Sequence, residues 1–349
     1  MARNLTSLVA VFGLVIPAIA ADDYPGETWA RVSSLSQAGW SAKKLAAARE
    51  YSASIGSSAV MIVEDGLVVS EWGETSRKIL IHSMRKSYMS ALYGIYVANG
   101  RIRLSKTLAE LGIDDNEPRL TAAEKQATIE DLLKARSGVY HPALEETASM
   151  EAARPQRGSH PPGTFWYYNN WDFNALGTIF EQETGRKIFE EVKRRLADPL
   201  QMQDFQVSDG RYDTGPLSIH RGYPMWMTAR DNARFGLLYL REGVWRGRQV
   251  VPKDWVRRSI TSYSNAHSHG GYGYLWWIAA NGKHIPNVTL EDGAFSAEGV
   301  GGNYILVIPS RKLVIVHRVI TANQHAVKSG DFGQLVAQIL AAKAGAGGY

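Results

Sequence analysis

Apolar and polar positions alternate along the chain so as to predict strands near both ends and helices between them. Ala59-Val60-Met61-Ile62-Val63 and Leu67-Val68-Val69 are short apolar runs, and Asp65-Gly66 stands between them. Such runs flanking an Asp-Gly pair predict two antiparallel strands joined by a tight turn, over residues 58–72. Just upstream, residues 39–56 carry helical spacing, with Lys43, Lys44 and Arg49 on a solvated side and Leu45, Ala46 and Tyr51 inward. A further helix is predicted over 83–99 and stopped by Gly100, because glycine readily takes the left-handed conformation that ends a helix.

Residues 101–269 read as mostly helical with long loops, punctuated by Pro118, Pro142, Pro155, Pro161 and Pro162. Thr228, before Ala229-Arg230-Asp231, is placed to cap a helix. Strand character returns over 272–278, 303–308 and 313–319, with 309–312 as the turn between the last two. Residues 334–343 form a closing helix and 344–349 a loose tail. The pattern therefore predicts an α+β fold. An antiparallel sheet is built from both chain ends (21–100 and 270–349) and flanked by terminal helices. A mostly helical lobe (101–269) is inserted, and the two lobes make one unit. The groove between them is the natural place for a site.

Three features of composition change this picture. Arg3, an apolar stretch over 8–16, Pro17 and Ala18-Ile19-Ala20 predict a signal peptide over residues 1–20, cut after Ala20. The apolar stretch is shorter than the roughly 20 residues of a helical span. The protein is thus expected to be periplasmic or secreted, with no stable membrane span after processing. The chain has 349 residues, no cysteine and a formal net charge of +5, so disulfides and cysteine-linked lipids are excluded. Its basic residues are scattered, so there is no nucleic-acid footprint.

Candidate chemistry begins at Ser83-Met84-Arg85-Lys86, a Ser-x-x-Lys motif opening a predicted helix. Spacing of three puts both side chains on one helix face. An amine beside a serine hydroxyl can take its proton or hold a second base in the right state. The helix N-terminus adds N–H groups that favour developing negative charge. Ser41-Ala42-Lys43-Lys44 repeats the pattern, but before the first strand and on a solvated face. Pro162-Gly163-Thr164-Phe165-Trp166-Tyr167-Tyr168-Asn169-Asn170 is a turn, an aromatic run and a helix start. It holds Tyr-x-Asn, and a tyrosine near a lysine can act as base and then as acid to the leaving group. The asparagine amide can orient a substrate carbonyl or the lysine.

With these elements in order, the chain resembles the serine β-lactamase-related hydrolases. That group includes class C β-lactamases, D-alanyl-D-alanine peptidases, family VIII carboxylesterases and 6-aminohexanoate-dimer hydrolases. Their pattern is Ser-x-x-Lys, then Tyr-x-Asn, then a Lys-Thr-Gly or His-x-Gly strand. Residues 129–138, 197–202, 228–236 and 272–277 also match familiar segments. A gapless match from Gly163 to Gly177 selects Tyr168 and Asn170, leaving Tyr167 as a packing or pocket residue. The third element falls at Ala297-Glu298-Gly299, before Val300-Gly301-Gly302-Asn303. No lysine or histidine stands where relatives help receive a substrate carboxylate, and Glu298 would repel one if it faced the groove. Two literal matches are set aside. Lys328-Ser329-Gly330 follows the last hairpin and reads as a helix-start loop. Tyr263-Ser264-Asn265 reads as a polar loop too late in the chain.

The resemblance implies the penicillin-recognising fold and an acyl-enzyme mechanism. Ser83 is the implied nucleophile, and Lys86 and Tyr168 handle its proton, in an order the sequence leaves open. Asn170, Gly299 and Val300 are the implied substrate-binding residues, with N–H groups of Ser83 and about Val300 as oxyanion donors. The expected substrate is a small-molecule carboxylic ester or small amide. Penicillins or cell-wall peptides are the alternative, and a non-catalytic ligand-binding homologue is the alternative of another class. A mere binder needs none of Ser83, Lys86 and Tyr168. No metal or cofactor is implied; His267 and His269 read as solvated. Trp166, Trp171, Trp276 and Trp277 read as core, and any that face the groove would offer an apolar wall. The sequence leaves the oligomeric state open.

Overall fold

Asp65 and Gly66 both take positive φ, 50° and 92°, as a tight hairpin turn requires. They join β1 (Ala59–Glu64) to β2 (Leu67–Gly73). The computed structural model describes residues 24–343. Residues 1–20, expected to be a signal peptide, and residues 344–349, expected to be a loose tail, lie outside the described residues. Before β1, Ser41 caps α1 (Ala42–Ser54) by accepting from the Lys44 N–H at 3.3 Å. The first Ser-x-x-Lys is thus a helix cap. The buried stripe of α1 is Leu45, Ala48 and Ser52, while Ala46, expected inward, is exposed. Positions 45, 48 and 52 share one face, and position 46 lies about 100° round the helix from Leu45.

The chain continues through α2 (Arg85–Ala98), α3 (Asn170–Thr184) and α4 (Ala229–Leu240). As expected, Thr228 caps α4, accepting from the Asp231 N–H at 3.1 Å. The sheet resumes with β3 (Ser264–Asn265), β4 (Gly271–Tyr272), β5 (Trp277–Ile278), β6 (Phe295–Gly299), β7 (Asn303–Ile308) and β8 (Leu313–Arg318). Helix α5 (Ser329–Ala342) follows. The eight strands are ordered β2-β1-β8-β7-β6-β5-β4-β3 and every pairing is antiparallel. β1 pairs with β8 from Ala59↔Arg318 to Glu64↔Leu313, so the two chain ends meet within the sheet, one strand in from its β2 edge.

Two expectations need correction. Residues 272–278 do not form one strand but most of a tight hairpin, β4 with β5. Leu275 takes φ 63°, and the Gly273 N–H donates to Trp276 O at 2.9 Å. Gly273 approaches Ser259 O so closely that a Cβ would sit 2.1 Å from it. The turn is therefore set by backbone packing, which an aromatic-rich pattern does not display. The closing helix begins at Ser329 rather than Gln334. Gly330 and Gly333 concealed its first turns, and Gly333 is there because a Cβ would meet Pro286 O at 1.7 Å.

Successive strand residues face opposite sides. Val60, Ile62, Leu306, Ile308 and Ile315 join a core with Leu45 and Ala48 of α1 and Leu335, Val336 and Ile339 of α5. Met61, Val63, Ile305, Val307, Val314 and Val316 join a second core with Leu92 of α2 and Ala233 and Leu237 of α4. With both faces covered, the central strands read as continuous apolar runs. Gly236 lets α4 lie close on the sheet, since a Cβ would meet Val314 Cγ1 at 2.6 Å. Among the described residues no helix is long and apolar enough to cross a membrane.

Candidate active site

A short strand, Ile79–Leu80, pairs with Trp226–Met227 and delivers the chain to the start of α2. His82 then takes φ 49°. That left-handed residue turns the chain sharply into a 3₁₀ turn, His82–Met84, which carries Ser83 half-exposed at the groove while Met84, Lys86 and Ser87 are buried. The His82 ring pairs through Nε2 with Thr321 Oγ1 at 2.9 Å. Burial first, then the charges of Arg318, Arg85 and Lys86, bring its pKa down to about 4, so the ring is neutral.

Lys86 Nζ lies 2.7 Å from Ser83 Oγ and 2.9 Å from Tyr168 Oη, hydrogen-bonded to both. The amine is 4.7 Å from the ring centroids of Tyr168 and Phe173. Burial, reinforced by Arg85 and opposed by Glu145, pushes its pKa well below that of a free lysine. The Tyr168 phenol is pushed the other way. Burial raises it, the Ser83 hydrogen bond and Arg85 oppose that, and Glu298 adds to it. Desolvation thus favours a neutral amine next to a neutral phenol.

The two tyrosines diverge. Tyr168 stacks on Trp277, centroids 5.1 Å apart and planes at 26°. Tyr167 points away and donates to Met150 O at 2.6 Å. Asn169 is the N-cap of α3: its Oδ1 accepts from the Trp171 N–H at 3.2 Å, and its Nδ2 donates to Val139 O at 2.7 Å. Asn170 is buried beside Ser83. Its Nδ2 donates to Glu145 O at 2.6 Å, and its Oδ1 has no partner among the described residues.

Ser83 and Asn170 open on a small pocket that is also lined by Leu80, His82, Arg85, Glu145, Pro224 and Val300. Val300 is 52% exposed. Gly299 is brought there by packing: a Cβ would lie 2.6 Å from Ile81 O and 3.2 Å from His82 Cβ. Glycine therefore lets the end of β6 rest against the turn that carries Ser83. Glu298 does not present a free carboxylate. Its side chain is 13% exposed, Oε1 accepts from Ser296 Oγ at 2.8 Å, and burial pushes its pKa up to about 7.

Sequence reasoning passed over Arg85 and Glu145. The Arg85 guanidinium is buried 2.5 Å from Glu145 Oε2, 3.1 Å from Asn174 Oδ1 and 4.5 Å above the Tyr223 ring. The pocket's one lining guanidinium is thus already neutralised. Arg85 occupies a variable position of the motif and Glu145 a loop with φ 62°, so neither carried a signal. Elsewhere, Lys328 immediately precedes α5, with Ser329 and Gly330 in its first turn. Tyr263-Ser264-Asn265 is not a loop, because Ser264–Asn265 is the edge strand β3 and Tyr263 stacks on Tyr274 at 5.0 Å. Trp171 and Trp276 are fully buried, whereas Trp166 and Trp277 are half-buried, 6.0 Å apart, beside Tyr168. His267 is exposed, and the His269 ring packs 5.1 Å from Trp277.

A family model described as Beta-lactamase matches residues 42–331. A 6-aminohexanoate-dimer hydrolase of Paenarthrobacter ureafaciens is 24% identical over 269 residues, 68% of this chain and 64% of that protein's length. A β-lactamase structure from Mycobacterium bovis superposes with a TM-score of 0.61 at 19% identity, covering 84% of this chain and 97% of that one. A penicillin-binding-protein homologue from Caulobacter crescentus gives 0.64 at 15% identity, covering 87% and 99%. At these identities the superpositions speak for the fold.

Proposed function

This chain belongs to the beta-lactamase family, and from that premise we propose that it is an exported serine hydrolase acting through an acyl-enzyme on a carboxylic ester or small amide. The observation that carries the reading is the chain Ser83 Oγ–Lys86 Nζ–Tyr168 Oη, with links of 2.7 and 2.9 Å. Neutral Lys86 takes the Ser83 proton as Oγ bonds to the substrate carbonyl carbon. The N–H groups of Ser83 and Val300 receive the oxyanion. As the tetrahedral intermediate collapses, the C–O or C–N bond breaks. Tyr168 gives its proton to the leaving atom and regains one from the Lys86 ammonium. Water then adds to the acyl carbon, the bond from that carbon to Ser83 Oγ breaks to release the acid, and the water's proton passes by the same groups to Oγ. A non-catalytic binder gives no reason for this proton path.

The substrate class rests on charge. Arg85 is committed to Glu145, and Ala297-Glu298-Gly299 supplies no cation, so nothing in the pocket lining is free to neutralise a penicillin carboxylate. The half-buried Trp166 and Trp277 favour an apolar acyl or leaving group. A hydrolysis screen tests this. The kcat/KM on the best short-chain ester or small linear amide should exceed that on benzylpenicillin by about tenfold or more, the equivalent of ~1.4 kcal/mol. A penicillin value above that of every ester and amide would contradict it.

A further inference from the structure

Acyl transfer at Ser83, the reading on which this inference rests, needs two N–H groups held at a fixed separation, although Ser83 and Val300 sit on segments far apart in sequence. What joins those segments is a buried cation. Arg318, the last residue of β8, is 0% exposed. Its Nη1 donates to Met227 O at 2.9 Å, and its Nη2 to Ile79 O at 3.0 Å and Leu80 O at 3.1 Å. Its Nε donates to Asn303 Oδ1 at 2.9 Å. All four acceptors are uncharged, and among the described residues no carboxylate forms an ion pair with it. An unpaired guanidinium is costly to bury, and an apolar side chain would pack there without that cost.

Asn303 extends the brace. Its Nδ2 donates to Val300 O at 3.1 Å and to Val319 O at 3.2 Å, while Oδ1 also accepts from the Val319 N–H at 3.1 Å. Between Val300 and Asn303 lie Gly301 and Gly302, both at positive φ, 83° and 93°. A Gly-Gly turn has wide conformational freedom, so the position of residue 300 must be imposed from outside. Gly299 resting on Ile81 O fixes one side, and the Asn303 amide fixes the other.

We propose that Arg318 and Asn303 are the positioning residues of the oxyanion hole, the guanidinium fixing the strand that enters the nucleophile turn and the amide fixing the Val300 carbonyl. One hub thereby aims two N–H groups from opposite ends of the chain at a single point. The positive charge adds to this. Burial lowers the Arg318 pKa to about 9, so it stays charged at neutral pH. Its field reaches the nucleophile turn, where it is the largest cause after burial of the depressed His82 pKa. A fixed cation behind the donors favours an oxyanion over a neutral carbonyl.

Asn303→Asp separates positioning from folding. The carboxylate still accepts from Arg318 Nε and the Val319 N–H and gives the guanidinium a counter-charge that offsets its lost bonds, but it can no longer donate to the Val300 and Val319 carbonyls. The melting temperature should hold or rise and KM on a short-chain ester should stay within about threefold, while kcat falls ~10²-fold or more, the scale of losing one oxyanion donor. Phosphonylation of Ser83 by a fluorophosphonate should slow in parallel. Arg318→Lys is the second variant, and it carries the test if Asn303→Asp does not fold. Its ammonium cannot reach four acceptors, and kcat should again fall with KM held. Unchanged kcat in a folded variant, or a change confined to KM, overturns the proposal. So does a loss of activity that in both variants merely follows the loss of folded protein. A wild type that neither hydrolyses esters nor takes the label would instead overturn the acyl-transfer reading.

Discussion

Tyr167 and Tyr168 are neighbours of the same type, and one residue of register decides which of them meets Lys86. Asn169 makes that decision locally. As the N-cap of α3 it ties its amide to Val139 O and its oxygen to the Trp171 N–H, which leaves Tyr168 turned toward Lys86 and Tyr167 toward Met150. Tyr168→Phe keeps the ring and its stacking on Trp277 and removes one hydroxyl from the proton path. Turnover of an ester should fall ~10²–10⁴-fold, the usual range for a general acid–base group. Tyr167→Phe removes a hydroxyl that reaches the Met150 carbonyl and Arg154, away from Ser83 and Lys86. It should cost about 1 kcal/mol of stability and leave most of the activity. Rates of both variants on one substrate, with melting temperatures, check this; an inactive Tyr167→Phe beside an active Tyr168→Phe would refute it.

The end of β6 meets the turn that leads into α2 at Gly299, beside Ile81 and His82. Gly299→Ala places a Cβ 2.6 Å from Ile81 O and must push the strand end, and Val300 with it, off the nucleophile turn. Ester turnover should drop by about tenfold or more, since small displacements of reacting groups are costly, while the melting temperature changes little at this strand end. Activity within twofold of wild type would show that the contact does not govern the site. Much of the element level was legible in advance. Asp65-Gly66 announced its hairpin, residues 303–308 their strand, Thr228 its helix, and the aromatic run the residue that reaches Lys86. What stayed hidden depends on distant backbone. The β4–β5 turn bends because Gly273 abuts Ser259 O, and α5 starts early because Gly333 abuts Pro286 O. The Arg85–Glu145 and Arg318–Asn303 pairs join residues from separate elements, and no local periodicity encodes such a partner.

At the scale of the whole molecule, β1 and β8 draw the two chain ends into one sheet, with α1 and α5 on one face and the helical part on the other. Export with cleavage after Ala20 predicts that protein recovered from the envelope or medium begins at Ala21, which N-terminal sequencing reads directly. An intact Met1 on exported protein would contradict it. The central claim is that one serine, set by the meeting of sheet and helices, forms the covalent intermediate. Intact-protein mass after incubation with a fluorophosphonate, followed by peptide mapping, tests it most directly. Wild type and Ser41→Ala should each gain a single adduct, mapped to Ser83, and Ser83→Ala should gain none. An adduct on Ser83→Ala at the wild-type rate, or no adduct on a wild type that hydrolyses esters, would contradict it.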